Sequence, residues 1–273
     1  MSRLATWSKY WARTGNLVRQ NASDMIHMRG TLAPDRSPRT LFSFNDIESV
    51  RDWKMGCDGD MGGKSTVHFD LDTSPEHNAA IGKPATGRFW GKMSTAVQPQ
   101  FQGKTRGGWA GIQNKKRGTL FGELMEEIEF HDYLALRVRA GGDPDTRAAY
   151  FVNLQTESDI QADIWQHRLL FRRKDNGWED LYLPFNHFVR TNHGQIAARR
   201  EIMNKSRLKS VNIAILGGHC NASGNYELGI DSIRIVNEED VKKDDAPPNK
   251  NPDNEKGDWE DLPDQERLVI QRF

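Results

Sequence analysis

Hydrophobic and polar positions alternate through most of the stretch from Thr40 to Asn237. Leu134, Leu136 and Val138 share one parity, while Arg137 and Arg139 take the other. Tyr150, Val152 and Leu154 repeat the pattern, as do Trp165, His167, Leu169 and Phe171, and then Val211, Ile213 and Ile215. A period of two places every second side chain on one face of a strand, so each run predicts a half-buried β-strand. Leu41–Phe44, Val67–Leu71, a run marked by Phe89 and Met93, and Trp178–Leu183 add further strands. The final run, Tyr226–Val236, changes parity partway: Leu228 and Ile230 lie on one, Ile233 and Ile235 on the other. An extra residue near Asp231 or Ser232, in a β-bulge, would let both halves face one core. Asn45, with Glu48 three residues on, reads as the N-cap of a short helix over Asp46–Trp53. Gln195–Lys205 reads as a helical excursion. Many short strands, glycine-rich turns and few helices predict an all-β sandwich over residues 40–237.

The two ends differ from this middle. In residues 1–39, Leu4, Trp7, Trp11 and Val18 recur at helical spacing with Tyr10 beside them. Arg3, Lys9, Arg13 and Arg19 accompany them, with no acid before Asp24. This predicts a basic amphipathic helix followed by a proline-bearing linker. Three readings stand: a mitochondrial transit segment, a membrane-surface helix, or a helix docked on its own domain or a partner. Trp7, Tyr10, Trp11 and Arg13 are its candidate contacts, since such indoles and phenols settle at headgroup depth and the cation faces anionic lipid. Residues 238–273 are acidic and rich in proline, a composition that predicts a largely extended tail. Its last residues, ERLVIQRF, read as a short docking strand or helix.

Composition narrows the functional classes. Lys plus Arg equals Asp plus Glu, 38 each, which gives no reason to expect nucleic acid as a partner. Two distant cysteines, Cys57 and Cys220, suit a reducing compartment better than a disulfide framework. No apolar run is long enough to span a bilayer.

The stretch Gly59–Thr66, GDMGGKST, imitates a phosphate-binding P-loop. Gly63, Lys64 and Ser65 supply the second half of G-x-x-x-x-G-K-[ST], but Asp58 stands where the first glycine belongs. Its carboxylate would oppose a phosphate, and a strand pattern rather than a helix follows. Asp58, Gly62, Gly63 and Ser65 therefore read as a structural turn. Asp58 and Asp60 are the best carboxylates for a structural Ca²⁺, and His187 with His193 for a zinc pair, yet none of the eight histidines has a zinc-enzyme spacing. No nucleophile elbow is present, and Asp70–Asp72 and Glu126–Glu127 read as solvated faces. The reading is of a non-enzyme without a cofactor. Trp178, Pro184 and Phe185, in the run GWEDLYLPF, read as structural. Trp90 and Trp109 are the mid-chain tryptophans that the pattern leaves uncommitted, and Trp109 is a further candidate partner contact. QNKKRG, Gln113–Gly118, reads as a hairpin turn presenting Lys115, Lys116 and Arg117 to an acidic partner.

Three stretches in register carry a resemblance: DWKMGCDGDMGGKST at Asp52–Thr66, GWEDLYLPFNHF at Gly177–Phe188, and SVNIAILGG followed by GNYELGIDSIRI between Ser210 and Ile235. Together they resemble the complex I intermediate-associated proteins of about thirty kilodaltons, assembly factors for mitochondrial NADH:ubiquinone oxidoreductase. The resemblance covers the middle and neither tail. It implies a galactose-binding-like jelly roll, related in shape to carbohydrate-binding modules. It also implies a non-enzymatic chaperone of the mitochondrial matrix, peripheral to the inner membrane. Its expected partners are other complex I assembly factors, membrane-arm assembly intermediates and anionic inner-membrane lipid. The competing class is a module that binds a glycan on an exposed aromatic platform. No secretory signal of the kind such modules carry is read at the start.

Overall fold

A computed structural model describes residues 3–26, 35–158, 163–192, 195–197 and 201–241. The acidic tail beyond residue 241, most of the linker and His193 lie outside the described residues. A helix, α1 (Arg3–Ile26), precedes strand β1 (Arg39–Ser43), a short helix α2 (Ile47–Arg51) and β2 (Trp53–Cys57). Then come β3 (His68–Asp72), β4 (Thr86–Met93), β5 (Trp109–Asn114), a small hairpin β6 (Gly118–Thr119) and β7 (Gly122–Glu123), and β8 (Tyr133–Gly142). β9 (Tyr150–Thr156), β10 (Asp163–Arg168), β11 (Trp178–Pro184), β12 (Val189–Asn192), β13 (Gln195–Ile196), β14 (Leu208–Leu216) and β15 (Gly224–Val236) complete the strands.

These strands form two antiparallel sheets. One has the order β11-β8-β15-β4-β3, with β1 also on β15; the other has the order β13-β12-β10-β9-β14-β5-β2. The alternation seen in the sequence fills the space between them. Leu134, Leu136, Val138, Val152, Leu154, Ile213 and Ile215 are fully buried there. Phe42, Phe44, Trp53 and Phe69 form a cluster of edge-to-face and tilted rings, with Phe42 and Phe44 each 5.2 Å from the Trp53 ring. Cys57 is buried and Cys220 half-buried, and both thiols are free.

The register of β15 slips between Ile230 and Ser232 against β8. The extra residue is Asp231, as the parity change required. Its carboxylate accepts from Asn45 Nδ2 at 3.0 Å and its carbonyl accepts from Phe44 N at 2.9 Å. That bond corrects the cap: Asn45 is committed to Asp231 and to Ala85 O, so Asp46 caps α2 instead, accepting from Ser49 N. Gln195–Lys205 is not helical where it is described: β13 pairs with β12, and residues 201–204 are irregular. The QNKKRG stretch is not a hairpin turn either. β5 pairs with β2 and β14, and the stretch leads out of that sheet to the β6–β7 hairpin.

β11 is an edge strand, and Pro184 ends it opposite Tyr133, where a missing N–H costs little. Phe185 is buried, with Phe188 6.1 Å away and the Lys205 ammonium over its ring. Trp178 is 8% exposed, but it lies on the outer side of its sheet against Gly229. Its indole N–H donates to His77 O at 2.7 Å. Around it, Glu227 bridges Arg88 and Arg139, and Asp180 bridges Arg137 and Arg234.

Candidate partner-binding surface

The first candidate surface starts with α1, which stands on α2 and the β6–β7 hairpin. Lys9 Nζ lies 3.0 Å from both Asp52 and Glu48, and Arg13 lies 3.3 Å from Asp52. The hydrogen bond to Asp52, then that to Glu48, raises the Lys9 ammonium above its ordinary range. The Thr14 side chain is buried; its hydroxyl donates to Tyr10 O at 3.0 Å and accepts from Leu120 N at 3.2 Å. Lys9 and Arg13 are thus not held out toward lipid, as their lack of neighbouring acids had suggested. Their acids come from positions 48 and 52, which the fold brings underneath. Each pair is partly solvent-exposed and individually weak, so the helix is held by several modest contacts.

Facing the basic side of α1 toward α2 turns its aromatic side outward. Trp7 is 59% exposed and Trp11 56%, each edge-to-face with the half-buried Tyr10 between them. The hairpin tip beside Thr14 adds Leu120 at 52% and Phe121 at 75%. The Thr14–Leu120 bond sets the hairpin tip against the helix, and each of the two elements leaves a pair of large apolar side chains exposed. Sequence reading found the two tryptophans but missed Leu120 and Phe121, because an apolar pair in a two-residue turn has no periodicity to reveal it.

The basic turn divides its residues. Lys116 is exposed and lies 3.5 Å from Glu123. Lys115 Nζ donates to Arg51 O at 2.6 Å. Arg117 turns away, pairing with Glu126 at 2.7 Å and covering the Phe42 ring. Of the two uncommitted tryptophans, Trp90 stacks on His68 at 4.4 Å, lies under Arg88 and donates to Asp70 Oδ2 at 2.9 Å. With His68 on the ring and Arg88 over it, Trp90 is not an open platform. Trp109 is half-buried with its ring beside Gly56.

The P-loop imitation is a closed turn. The Asp58 carboxylate accepts from Ser65 N at 2.9 Å, Ser65 Oγ at 3.0 Å, Trp109 N at 3.3 Å and Gly108 N. The loop's own aspartate fills the place of an anion. Gly62 takes the left-handed conformation, φ 90°, under the Phe101 ring, and a Cβ on Gly63 would lie 2.3 Å from Asp58 Cγ. Ser65 is buried against Asp58, so the carboxylate proposed for Ca²⁺ is already committed to backbone donors. Among the described residues no cluster of three His, Cys, Asp or Glu side chains is arranged to hold a metal ion.

Against this geometry, comparisons with known proteins are specific. The family profile of complex I intermediate-associated protein 30 matches residues 42–230. The mitochondrial complex I intermediate-associated protein 30 of Neurospora crassa is 32% identical over 248 residues, covering 86% of each chain. The mouse mitochondrial protein of the same name is 22% identical over 222 residues, 77% of this chain and 62% of its own. Among solved structures, a family 11 carbohydrate-binding module of a Clostridium thermocellum cellulosomal cellulase superposes with a TM-score of 0.50 at 10% identity, over 75% of this chain and 96% of its own. The same module in complex with a mixed-linked tetrasaccharide also gives 0.50, at 11% identity. At such identities the likeness shows the fold alone, a jelly-roll sandwich. Profile and sequence identity together settle the family: this chain belongs to the complex I intermediate-associated protein 30 family.

Proposed function

We propose that this chain is a non-enzymatic assembly factor for mitochondrial complex I, working in the matrix at the inner membrane. In this reading it holds a membrane-arm intermediate, and other assembly factors, on the surface formed by α1 and the β6–β7 hairpin. The observation that carries the proposal is the orientation of α1, pinned by Lys9, Arg13 and Thr14 with Trp7 and Trp11 left outward. Each indole leaves roughly 100 Å² to be buried, worth about 2–3 kcal/mol on docking against an apolar surface. That is enough for a reversible grip on a hydrophobic subunit or the headgroup region, and no helix of the described residues is long and apolar enough to cross a membrane. Non-enzymatic action is supported by the self-satisfied Asp58 turn, since the most catalytic-looking motif is occupied by its own side chain.

The test is a combined Trp7→Ser, Trp11→Ser, Phe121→Ser variant, compared with the parent for co-purification of complex I components from mitochondria and for sedimentation with cardiolipin-containing vesicles. Loss of either attachment with an unchanged melting temperature supports the reading, and which one is lost tells protein from lipid. Full retention of both removes this surface from the mechanism.

A further inference from the structure

A second surface, on the outer face of the seven-stranded sheet, is not used by the reading above. Strand alternation turns Lys54, Gln113, Asn212, Asn153 and Gln166 outward, and the register lines them up in one row across β2, β5, β14, β9 and β10. The amides are bonded to one another and to a serine. Gln166 Nε2 donates to Asn153 Oδ1 at 2.9 Å, and Asn153 Nδ2 to Asn212 Oδ1 at 2.8 Å. Gln113 Nε2 donates to Ser210 Oγ at 2.8 Å, and that hydroxyl bonds Gln155 Oε1 at 3.3 Å. The four amides of the row are neutral, and much of their polar capacity is spent internally.

At the β2–β5 end of this row the surface opens into a groove of about 550 Å³, whose walls include Lys54, Lys115, Lys116 and Lys209. Glu123, 3.5 Å from Lys116, is the one carboxylate among the described lining residues. Lys54 and Lys209 have no ion-pair partner among the described residues. The whole chain carries 38 cations and 38 anions, so four lysines against one glutamate is a local excess. Like charges gathered in a half-enclosed groove repel one another, and a ligand bearing carboxylates relieves that repulsion.

We propose that this groove binds an acidic stretch of a partner polypeptide in extended conformation. An extended segment repeats its same-side groups about every 7 Å, which suits carboxylates reaching to separate lysines on long flexible stems. A neutral sugar would meet amides already bonded to each other and leave the ammonium groups uncompensated. The lysines come from β2, the β5–β6 connection and β14, distant in sequence and adjacent only through the sheet order. The connection also leads to the hairpin under α1, so one partner can engage both surfaces.

The experiment uses the full chain and a fluorescent peptide alternating glutamate with threonine, read by anisotropy at low and high salt. The glutamine–threonine peptide and a neutral mixed-linked oligosaccharide serve as controls, and no complex I component is involved. Saturable binding of the glutamate peptide is expected, weakening with salt. It should weaken by about tenfold or more in the combined Lys54→Glu, Lys116→Glu, Lys209→Glu variant. The three serine substitutions on α1 and the hairpin should leave it unchanged. If the reversed chain does not fold, the triple alanine variant gives the same readout with a smaller loss. The proposal is overturned by no saturable binding at low salt, by equal binding of the glutamine peptide, or by binding that survives charge reversal. Saturable oligosaccharide binding insensitive to reversal also overturns it and makes the groove a glycan site.

Discussion

Replacing Asp58 with alanine tests the account of the glycine-rich turn most directly. The carboxylate is fully buried and serves the Ser65 and Gly108 amides, the Ser65 hydroxyl and, at a long 3.3 Å, the Trp109 amide. The Ser65 hydroxyl keeps a second partner, Ser94 O at 3.1 Å, and so is not orphaned. The Ser65 and Gly108 N–H groups are left buried and unpaired. At about 1–3 kcal/mol each, the loss is about 2–6 kcal/mol. For a chain of this size that lowers the melting temperature by roughly 10 °C at the middle of the range. Asp58→Asn keeps one acceptor oxygen and should fall between alanine and the parent. Calorimetry and urea unfolding measure both. A double-mutant cycle sharpens the test. Gly63→Ala forces a Cβ to within 2.3 Å of Asp58 Cγ, so it should cost much less in an Asp58→Gly background, where that carbon is gone. Asp58→Gly also restores the P-loop spelling, yet should bind no ATP, since a strand rather than a helix N-terminus follows. An unchanged stability in Asp58→Ala, or a strictly additive cycle, would refute the reasoning.

Three further outcomes follow from the same geometry. Trp178→Ala should cost about 3–5 kcal/mol by chemical denaturation, since it removes a buried ring and the bond to His77 O. Unchanged stability with lost partner binding would make Trp178 an interface residue. Burial opposes the Glu227 charge, but hydrogen bonds from Arg139 and Arg88 outweigh it and hold the carboxyl below its ordinary value of 4.5. Its stabilisation is therefore present above that value and is lost as pH falls through the depressed folded value; the acid-unfolding slope should be shallower in Glu227→Gln. Asp52→Ala removes the shared partner of Lys9 and Arg13, and should raise proteolytic cleavage within α1 while costing only about 1 kcal/mol of global stability.

The sequence by itself determined what depends on neighbours along the chain. A period of two is a local property, so most of the longer strands, the inward side chains of β8, β9 and β14, and a bulge near Asp231 were legible from the sequence, whereas β2, β5 and β12 were not, and Trp53, read as the end of a helix, opens β2. The P-loop reading also failed on local grounds, through Asp58 and the strand after it, and the three motifs in register pointed to the family. Tertiary structure decided who meets whom. Asn45 is drawn away from the cap by Asp231, 186 residues away, and Asp46 caps the helix instead. The donors that satisfy Asp58 include Gly108 and Trp109, some fifty residues on. Lys9 and Arg13 looked free because their acids, Glu48 in α2 and Asp52 just past its end, lie far along the chain, and this pairing turned the tryptophans outward. Lys54 and Lys209 share a groove only because β2, β5 and β14 are successive neighbours in one sheet. Alternation says which side of a strand a residue faces; the order of strands says what stands next to it, and that order is fixed by long-range burial that no local period encodes.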